Sequence, residues 1–323
     1  MAATGDDTLL DEQGADETLL DERRRRVQAA VAAIAAGVLT IGGGALAAWV
    51  YDDLPTVRVL DALRERLAAR APVPGLKALQ VRWYDDNAVR LILVSVVLAL
   101  AAAAIGLALS HLYRSVKARR PELQRYVVYA AVAGAVLVAV SGIVQAVGVT
   151  VQASAFASSA NQTSEAAGDV LQGPVIVAAL LLRQIGVFAL GFAFILLALN
   201  GMRVGLLTRF MGVLGIIVGV LFIIPIGSSL PIVQAFWLVA LGALFLGRWP
   251  SGMPPAWVTG EAQPWPTQQE LREAREAHAT PDDAPRPPRA ARRERAEAPE
   301  TPAPELPARR PHPSSKKRKR KRR

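Results

Sequence analysis

Long apolar runs alternating with short charged connections set the pattern of the chain. Residues 27–50, 88–112, 126–150, 175–200 and 208–227 are each largely apolar, and a sixth run, 230–247, has 18 residues and no charge. A helix needs about 20 apolar residues to cross a hydrocarbon core of roughly 30 Å. In lipid the backbone must satisfy its own polar groups, so runs of this kind are helices rather than isolated strands. The pattern predicts an all-α fold, a polytopic transmembrane bundle of six spans. Only Gly227, Ser228 and Ser229 separate the last two runs. That spacing suits a tight turn, with a serine hydroxyl capping the next helix and Pro231 in its first turn.

The first run could be mistaken for a secretory signal, because Arg23 to Arg26 precede it and Ala45-Leu46-Ala47 mimics a cleavage site. It exceeds the roughly 7–15 residues of a signal core, so a retained span is expected. Basic residues then orient the bundle, since connections rich in lysine and arginine stay on the cytoplasmic side. Four arginines precede span one, and Arg114, Lys117, Arg119, Arg120 and Arg125 follow span two. Arg203 and Arg209 follow span four, and Arg248 follows span six, whereas residues 151–172 contain no lysine or arginine. The long connection 51–87 carries six basic residues but interleaves six acidic ones. The expectation is a cell-membrane protein with both termini cytoplasmic.

Between the first two spans, Leu60, Leu63 and Leu67 fall on one helical face. They predict an amphipathic helix at the membrane surface or against a partner, stopped by Pro72, Pro74 and Gly75. The connection 151–172, rich in serine, alanine and glutamine, reads as flexible. Its Asn161-Gln162-Thr163 sequon reads as chance.

Three segments follow from these boundaries: an acidic tail at 1–26, a membrane domain at 27–250, and a tail at 251–323. In the first, Asp6-Asp7-Thr8-Leu9-Leu10-Asp11-Glu12 returns ten residues later as Asp16-Glu17-Thr18-Leu19-Leu20-Asp21-Glu22. Acidic repeats of this kind predict a disordered tail, with a protein partner, including a phosphothreonine reader at Thr8 or Thr18, as the sharper reading. The last segment holds 14 of the 22 prolines, too little apolar surface to offset chain entropy, and is expected to be disordered. Trp249, Trp257 and Trp265 at its start are expected to anchor it in the membrane interface. It ends in Lys316, Lys317, Arg318, Lys319, Arg320, Lys321, Arg322 and Arg323. Eight charges tethered beside an anionic leaflet attract lipid headgroups by about 1 kcal/mol each. Nucleic acid, which such a tract also attracts, is the less accessible partner.

Composition narrows the chemistry. The chain of 323 residues is 52% hydrophobic, carries a net charge of +10 and has a mean hydropathy of +0.28. With no cysteine, disulfides, thiolate metal sites and cysteine nucleophiles are excluded. The three histidines, His111, His278 and His312, form no metalloprotease helix, and no phosphate-binding glycine loop is present. Ser228 and Ser229 are expected at the opposite face from His111, so a serine–histidine pair fails on reach.

What remains is polar residues in or beside the spans. Asp52 and Asp53 leave span one in a Trp-Val-Tyr-Asp-Asp sequence, and Asp85 and Asp86 precede span two in Trp-Tyr-Asp-Asp. If the pairs converge they could ligate a hard cation; otherwise they are solvated flanking charges. Arg183 is the one charge inside a span, with Gln184 beside it and Gln145 in span three as polar partners. It either snorkels to the outer edge or contacts a ligand or pathway. Gly215 and Gly219 form a small-xxx-small motif for close helix packing, within the bundle or between protomers of a homo-oligomer.

The stretches 208–215, 236–238 and 247–257, reading Thr-Arg-Phe-Met-Gly-Val-Leu-Gly, Phe-Trp-Leu and Gly-Arg-Trp-Pro-Ser-Gly-Met-Pro-Pro-Ala-Trp, resemble the C-terminal part of an actinobacterial family of six-helix membrane proteins of unknown function. The resemblance implies that source and that architecture, and no activity. On residues alone, the favoured expectation is a non-enzymatic protein that organises partners through its charged tails, without a cofactor. The alternative is a channel or carrier for a small solute or ion at Arg183, Gln145 and Gln184.

Overall fold

The structure is a computed structural model. It describes residues 5–55, 77–224, 231–250, 252–265 and 272, and the side chains of 5–24 and 164–165 fall outside that description. All regular structure among the described residues is helical. In chain order the helices are α1 (Gly5–Asp52), α2 (Ala78–Asp86), α3 (Ala88–Arg119), α4 (Tyr126–Ala157), α5 (Ser164–Leu171), α6 (Pro174–Arg203), α7 (Arg209–Ile223), α8 (Ile232–Phe245) and α9 (Ala256–Thr259).

Four stretches, Arg25–Asp52, Ala88–Arg119, Tyr126–Ala157 and Ala166–Arg203, are long and apolar enough to cross a membrane. The fifth and sixth apolar runs give shorter helices. With 15 and 14 residues, α7 and α8 extend about 22 and 21 Å at 1.5 Å per residue, less than the roughly 30 Å of a hydrocarbon core. The turn expected at Gly227, Ser228 and Ser229, and the amphipathic segment around Leu60, Leu63 and Leu67, lie outside the described residues.

Two connections differ from expectation. The backbone of α1 is helical from Gly5, so it runs through both acidic repeats, where the sequence predicts a disordered tail. The connection expected to be flexible at 151–172 is largely helical, because α4 continues to Ala157 and α5 follows. Thr163 starts α5 by accepting a hydrogen bond from the Ala166 amide at 3.3 Å, so the sequon threonine is a helix cap.

The six apolar helices form a ring in chain order. Helix α1 packs on α3, α3 on α4, α4 on α6, and α6 on α7, while α8 closes the ring against α1. The seam between α7 and α8 is the least engaged. Small residues let the backbones approach, as packing without a hydrophobic driving force requires. A Cβ on Gly134 of α4 would lie 2.8 Å from the Gly186 carbonyl of α6, and one on Gly219 of α7 would lie 2.7 Å from the Gly191 carbonyl. A Cβ on Gly37 would lie 2.8 Å from the Ala235 carbonyl across the α1–α8 seam.

The two ends of the ring are built differently. At the end carrying Arg119, Arg203 and Arg209, here the basic end, large side chains fill the interior. Trp237, Phe194, Phe245, Leu109, Leu112 and Leu197 are fully buried there. Phe194 packs between Phe222 and Trp237, each with a ring-centre distance of 5.2 Å. At the other end, the aspartate end, α2 and α5 lie over the helix ends. Ala78 and Val81 of α2 meet Ala153 and Phe156 of α4 and Ala167 of α5, while Trp83 packs with Val50, Leu91 and Val94.

The chain leaves α8 through Gly247, in the left-handed region at φ 73°, with the Arg248 amide bonded to the Ala243 carbonyl at 2.9 Å. It then folds back under the basic end instead of departing at 250, and the compact unit ends at Trp265. The Trp257 indole donates to the Leu206 carbonyl at 2.8 Å and the Trp265 indole to the Leu207 carbonyl at 2.9 Å. Trp257 is 9% exposed and belongs to the main core, so it is a packed residue and not the interfacial anchor the sequence predicts. The physical reason is reciprocal need: carbonyls just past the end of α6 lack helical partners, and a buried indole N–H requires an acceptor. Arg119 completes the strap. Its guanidinium donates to the Ala256 carbonyl at 3.0 and 2.7 Å and lies 5.4 Å from the Trp257 ring centre.

Candidate functional site

The aspartate-end half of the ring is not filled. A cavity of about 270 Å³ lies beneath α2, with Tyr51, Tyr84, Ser95 and Gln145 in its wall. A second, of about 570 Å³, continues along the bundle axis between all six apolar helices. Leu98, Val138 and Arg183 line both, so the arginine stands where they meet. The floor of the larger cavity includes Leu190 and Val218, directly above the buried aromatic layer, and its wall reaches Thr40 on α1 and Gln234 on α8.

Local sequence explains why the space is open. Gly44, Ala101 and Ala102 present almost no side-chain volume to the axis. Helices α7 and α8 are held together at the basic end, where the Trp237 indole donates to the Met211 carbonyl at 2.8 Å. A Cβ on Gly215 would sit 2.9 Å from the same indole nitrogen. Farther along, Leu221 and Phe222 of α7 and Ile232 and Gln234 of α8 line the cavity.

Arg183 is nine positions inside α6 (183 − 174), about 14 Å along the helix from Pro174 at 1.5 Å per residue. Three residues on, Gly186 makes the tight contact with α4, so Arg183 occupies the α4-facing side of α6, where residues three apart are neighbours. Among the described residues it makes no hydrogen bond or ion pair, and no Asp or Glu lines either cavity. Thr40 is 6% exposed, and its hydroxyl has no hydrogen-bond partner among the described residues. Tyr84 is half-buried on α2, outside the long apolar stretches. Burial pushes its phenol above the ordinary tyrosine range, and the neighbouring Tyr51 hydroxyl adds to the shift, so Tyr84 is a neutral hydrogen-bond donor at physiological pH.

Of the residues the sequence singles out, Gln145 joins Arg183 in the smaller cavity, whereas Gln184, exposed as Arg183 is, lines neither. The two Trp/Tyr/Asp/Asp sequences do meet, but through one ring pair: the Tyr51 and Trp83 ring centres lie 5.7 Å apart. Asp52, Asp53 and Asp86 remain exposed and Asp85 half-exposed, and no group of three or more metal-ligating side chains forms among the described residues. Gly215 and Gly219 lie in contacts inside one chain, with Ala198 and Trp237 and with Gly191 and Ile195 respectively. The basic tract 316–323 lies outside the described residues. Sequence reading missed Thr40, Tyr51, Tyr84 and Gln234 as cavity residues. The only signal for Thr40 and Gln234 is a polar side chain within an otherwise apolar run. No protein-family model, curated protein or solved structure matches the chain.

Proposed function

We propose that the chain is a multi-pass cell-membrane protein that receives a small anionic solute in the chamber around Arg183, as a carrier or channel and not as an enzyme. The observation that carries this reading is Arg183 itself. A cation within a membrane-spanning helix is costly and marks a functional site by default. Here it lines two adjacent cavities, and among the described residues no carboxylate lines either, so an incoming anion supplies the missing charge. Gln145, Tyr84 and Tyr51 are positioned as neutral hydrogen-bonding groups on the same wall.

In this proposal the basic end is cytoplasmic and the chamber opens outward. A pair of short helices returns the chain to the side it left whether or not each crosses fully, so α7 and α8 leave both termini cytoplasmic. The filled basic end makes the described conformation outward-facing, with the solute's inward path closed at Phe194 and Trp237. The organising role expected of the tails rests on side chains outside the described residues, so the chamber carries the proposal.

The chain has no cysteine, which makes the test direct. Single cysteines at Asn161, Glu122, Arg183 and Ser314 are labelled in intact cells with a membrane-impermeant maleimide. Positions 161 and 183 should react, and 122 and 314 should not. Reconstituted protein should release chloride, acetate or phosphate from liposomes, and Arg183→Gln should abolish the release. An unreactive position 183 together with no release of any of the three anions would remove the reading.

A further inference from the structure

Resting on that reading of the chamber, we infer that its ligand is an anionic single-chain amphiphile, with the headgroup on Arg183 and the alkyl chain in the larger cavity. Three features separate this ligand from a small hydrophilic anion.

The first is the placement of hydrogen-bonding groups about the arginine. On the aspartate-end side Tyr51, Tyr84, Ser95 and Gln145 stand among apolar residues such as Leu91, Val94 and Val149, and these four neutral groups suit a carboxylate or phosphate. On the other side Ile105, Val187, Leu221 and Phe222 line a larger volume in which Gln234 and Thr40 are the polar residues besides Arg183 among the described lining. A solute carrying charge alone would leave that larger volume unused.

The second is size. At about 570 Å³, the apolar cavity falls within the roughly 300–1,000 Å³ of pockets that enclose organic ligands. It is many times the roughly 30 Å³ that one water occupies in the liquid. Burial of an alkyl chain is also the use for which Gly44, Ala101 and Ala102 leave room.

The third is reach to the bundle surface. The cavity wall includes Ile232 and Val233, which are 58% and 39% exposed on α8, beside the weakly engaged α7–α8 seam. An amphiphile can therefore pass between the lipid-facing surface and the axis at this seam while its headgroup stays at the level of Arg183. Gln234 lies on the same wall and offers a second polar contact within the cavity.

The test uses the full chain in liposomes with one cysteine at Gln145, Gln234 or Asn161, and reads the rate of labelling by an impermeant maleimide. The probes are decanoate, acetate and decanol. With decanoate at ten times its dissociation constant, labelling of both cavity positions should slow roughly tenfold, because the unoccupied fraction falls by that factor. Acetate and decanol should not protect position 234, and Asn161→Cys, outside the chamber, should be unaffected by all three. Arg183→Gln should remove the protection and Arg183→Lys should retain it, which separates loss of charge from loss of fold. If acetate protects position 145 as well as decanoate does while position 234 stays open, the amphiphile is wrong and the small-anion chamber stands. If neither cavity cysteine reacts without a probe, both readings fall. Equal protection by decanol and decanoate would also overturn the inference, since the charge would then play no part.

Discussion

The basic-end half and the aspartate-end half of this bundle are made from the same six helices, yet they spend their side chains on opposite purposes. Near the basic end the interior is closed by Trp237, Phe194 and Phe245, and the strap adds Trp257 and Trp265, whose indoles complete carbonyls beyond the end of α6. Near the aspartate end the axis is lined by glycine, alanine and branched aliphatic residues around two cavities. In lipid, helices associate through packing and hydrogen bonds, because the bilayer is as apolar as leucine. The filled half therefore supplies most of the association energy, and the open half is free to give up packing for a ligand. In the proposed reading, stability and binding are placed at different depths of one ring.

Truncation at equivalent depth in each half would break this comparison most directly. Trp237→Ala removes a fully buried indole, its bond to the Met211 carbonyl and its contact with Phe194. The expected loss is about 3–5 kcal/mol, the range for large aromatic truncations in packed interiors. Val187→Ala, on the cavity wall, should cost about 1 kcal/mol or less, since it enlarges a space already present. Thermal unfolding of the two variants in a neutral detergent measures the difference. Equal losses would mean that the cavities are as tightly coupled to the fold as the aromatic layer is.

The strap sharpens the comparison at intermediate magnitude. Arg119 places a buried guanidinium on the Ala256 carbonyl and against Trp257. Hydrogen bonds from charged donors contribute about 1.5–3 kcal/mol, and a desolvated cation–π contact can add about 2. Arg119→Ala should therefore release the strap and make the chain around Thr259–Glu261 cleavable by added protease, at concentrations that leave the wild-type strap intact. Labelling of a cysteine at Gln145 should be unchanged, because the lesion lies at the opposite end. A chamber that also changed would show the two halves to be mechanically linked.

How far the sequence reached follows the same division. Helix existence was legible from apolar runs alone, since a membrane span needs only length and composition. The closeness of the backbones was partly legible: Gly215 and Gly219 stand out as a spaced pair, whereas Gly134, Gly186 and Gly191 matter because of which helices adjoin, a fact no local pattern contains. Arg183 was conspicuous as a charge in an apolar run, and Gln145 with it, but Tyr51, Thr40 and Gln234, which share its cavities, were not, because they come from α1 and α8, far away in the chain. The strap was misread for a related reason. Tryptophans among prolines look interfacial until the free carbonyls at Leu206 and Leu207 are known to lie within reach. Arg119 looked like one more orienting charge in a basic connection, and only its burial sets it apart.

The smallest effect is the most discriminating, because its two readouts should move in opposite directions. Thr40 lines the larger cavity, and its buried hydroxyl has no hydrogen-bond partner among the described residues. A buried polar group left unsatisfied costs about 1–3 kcal/mol, and an apolar isostere removes that cost. Thr40→Val keeps the branched shape, so the ligand-free protein should be unchanged or more stable by about 1 kcal/mol. That gain would identify the hydroxyl as a group retained against stability, the usual mark of a site shaped for something other than folding. If it serves the ligand, the same substitution should weaken decanoate protection at Gln234→Cys while raising the unfolding temperature. A variant that loses stability instead would place the hydroxyl in the packing of α1, and would move Thr40 from the open half of the comparison to the filled one.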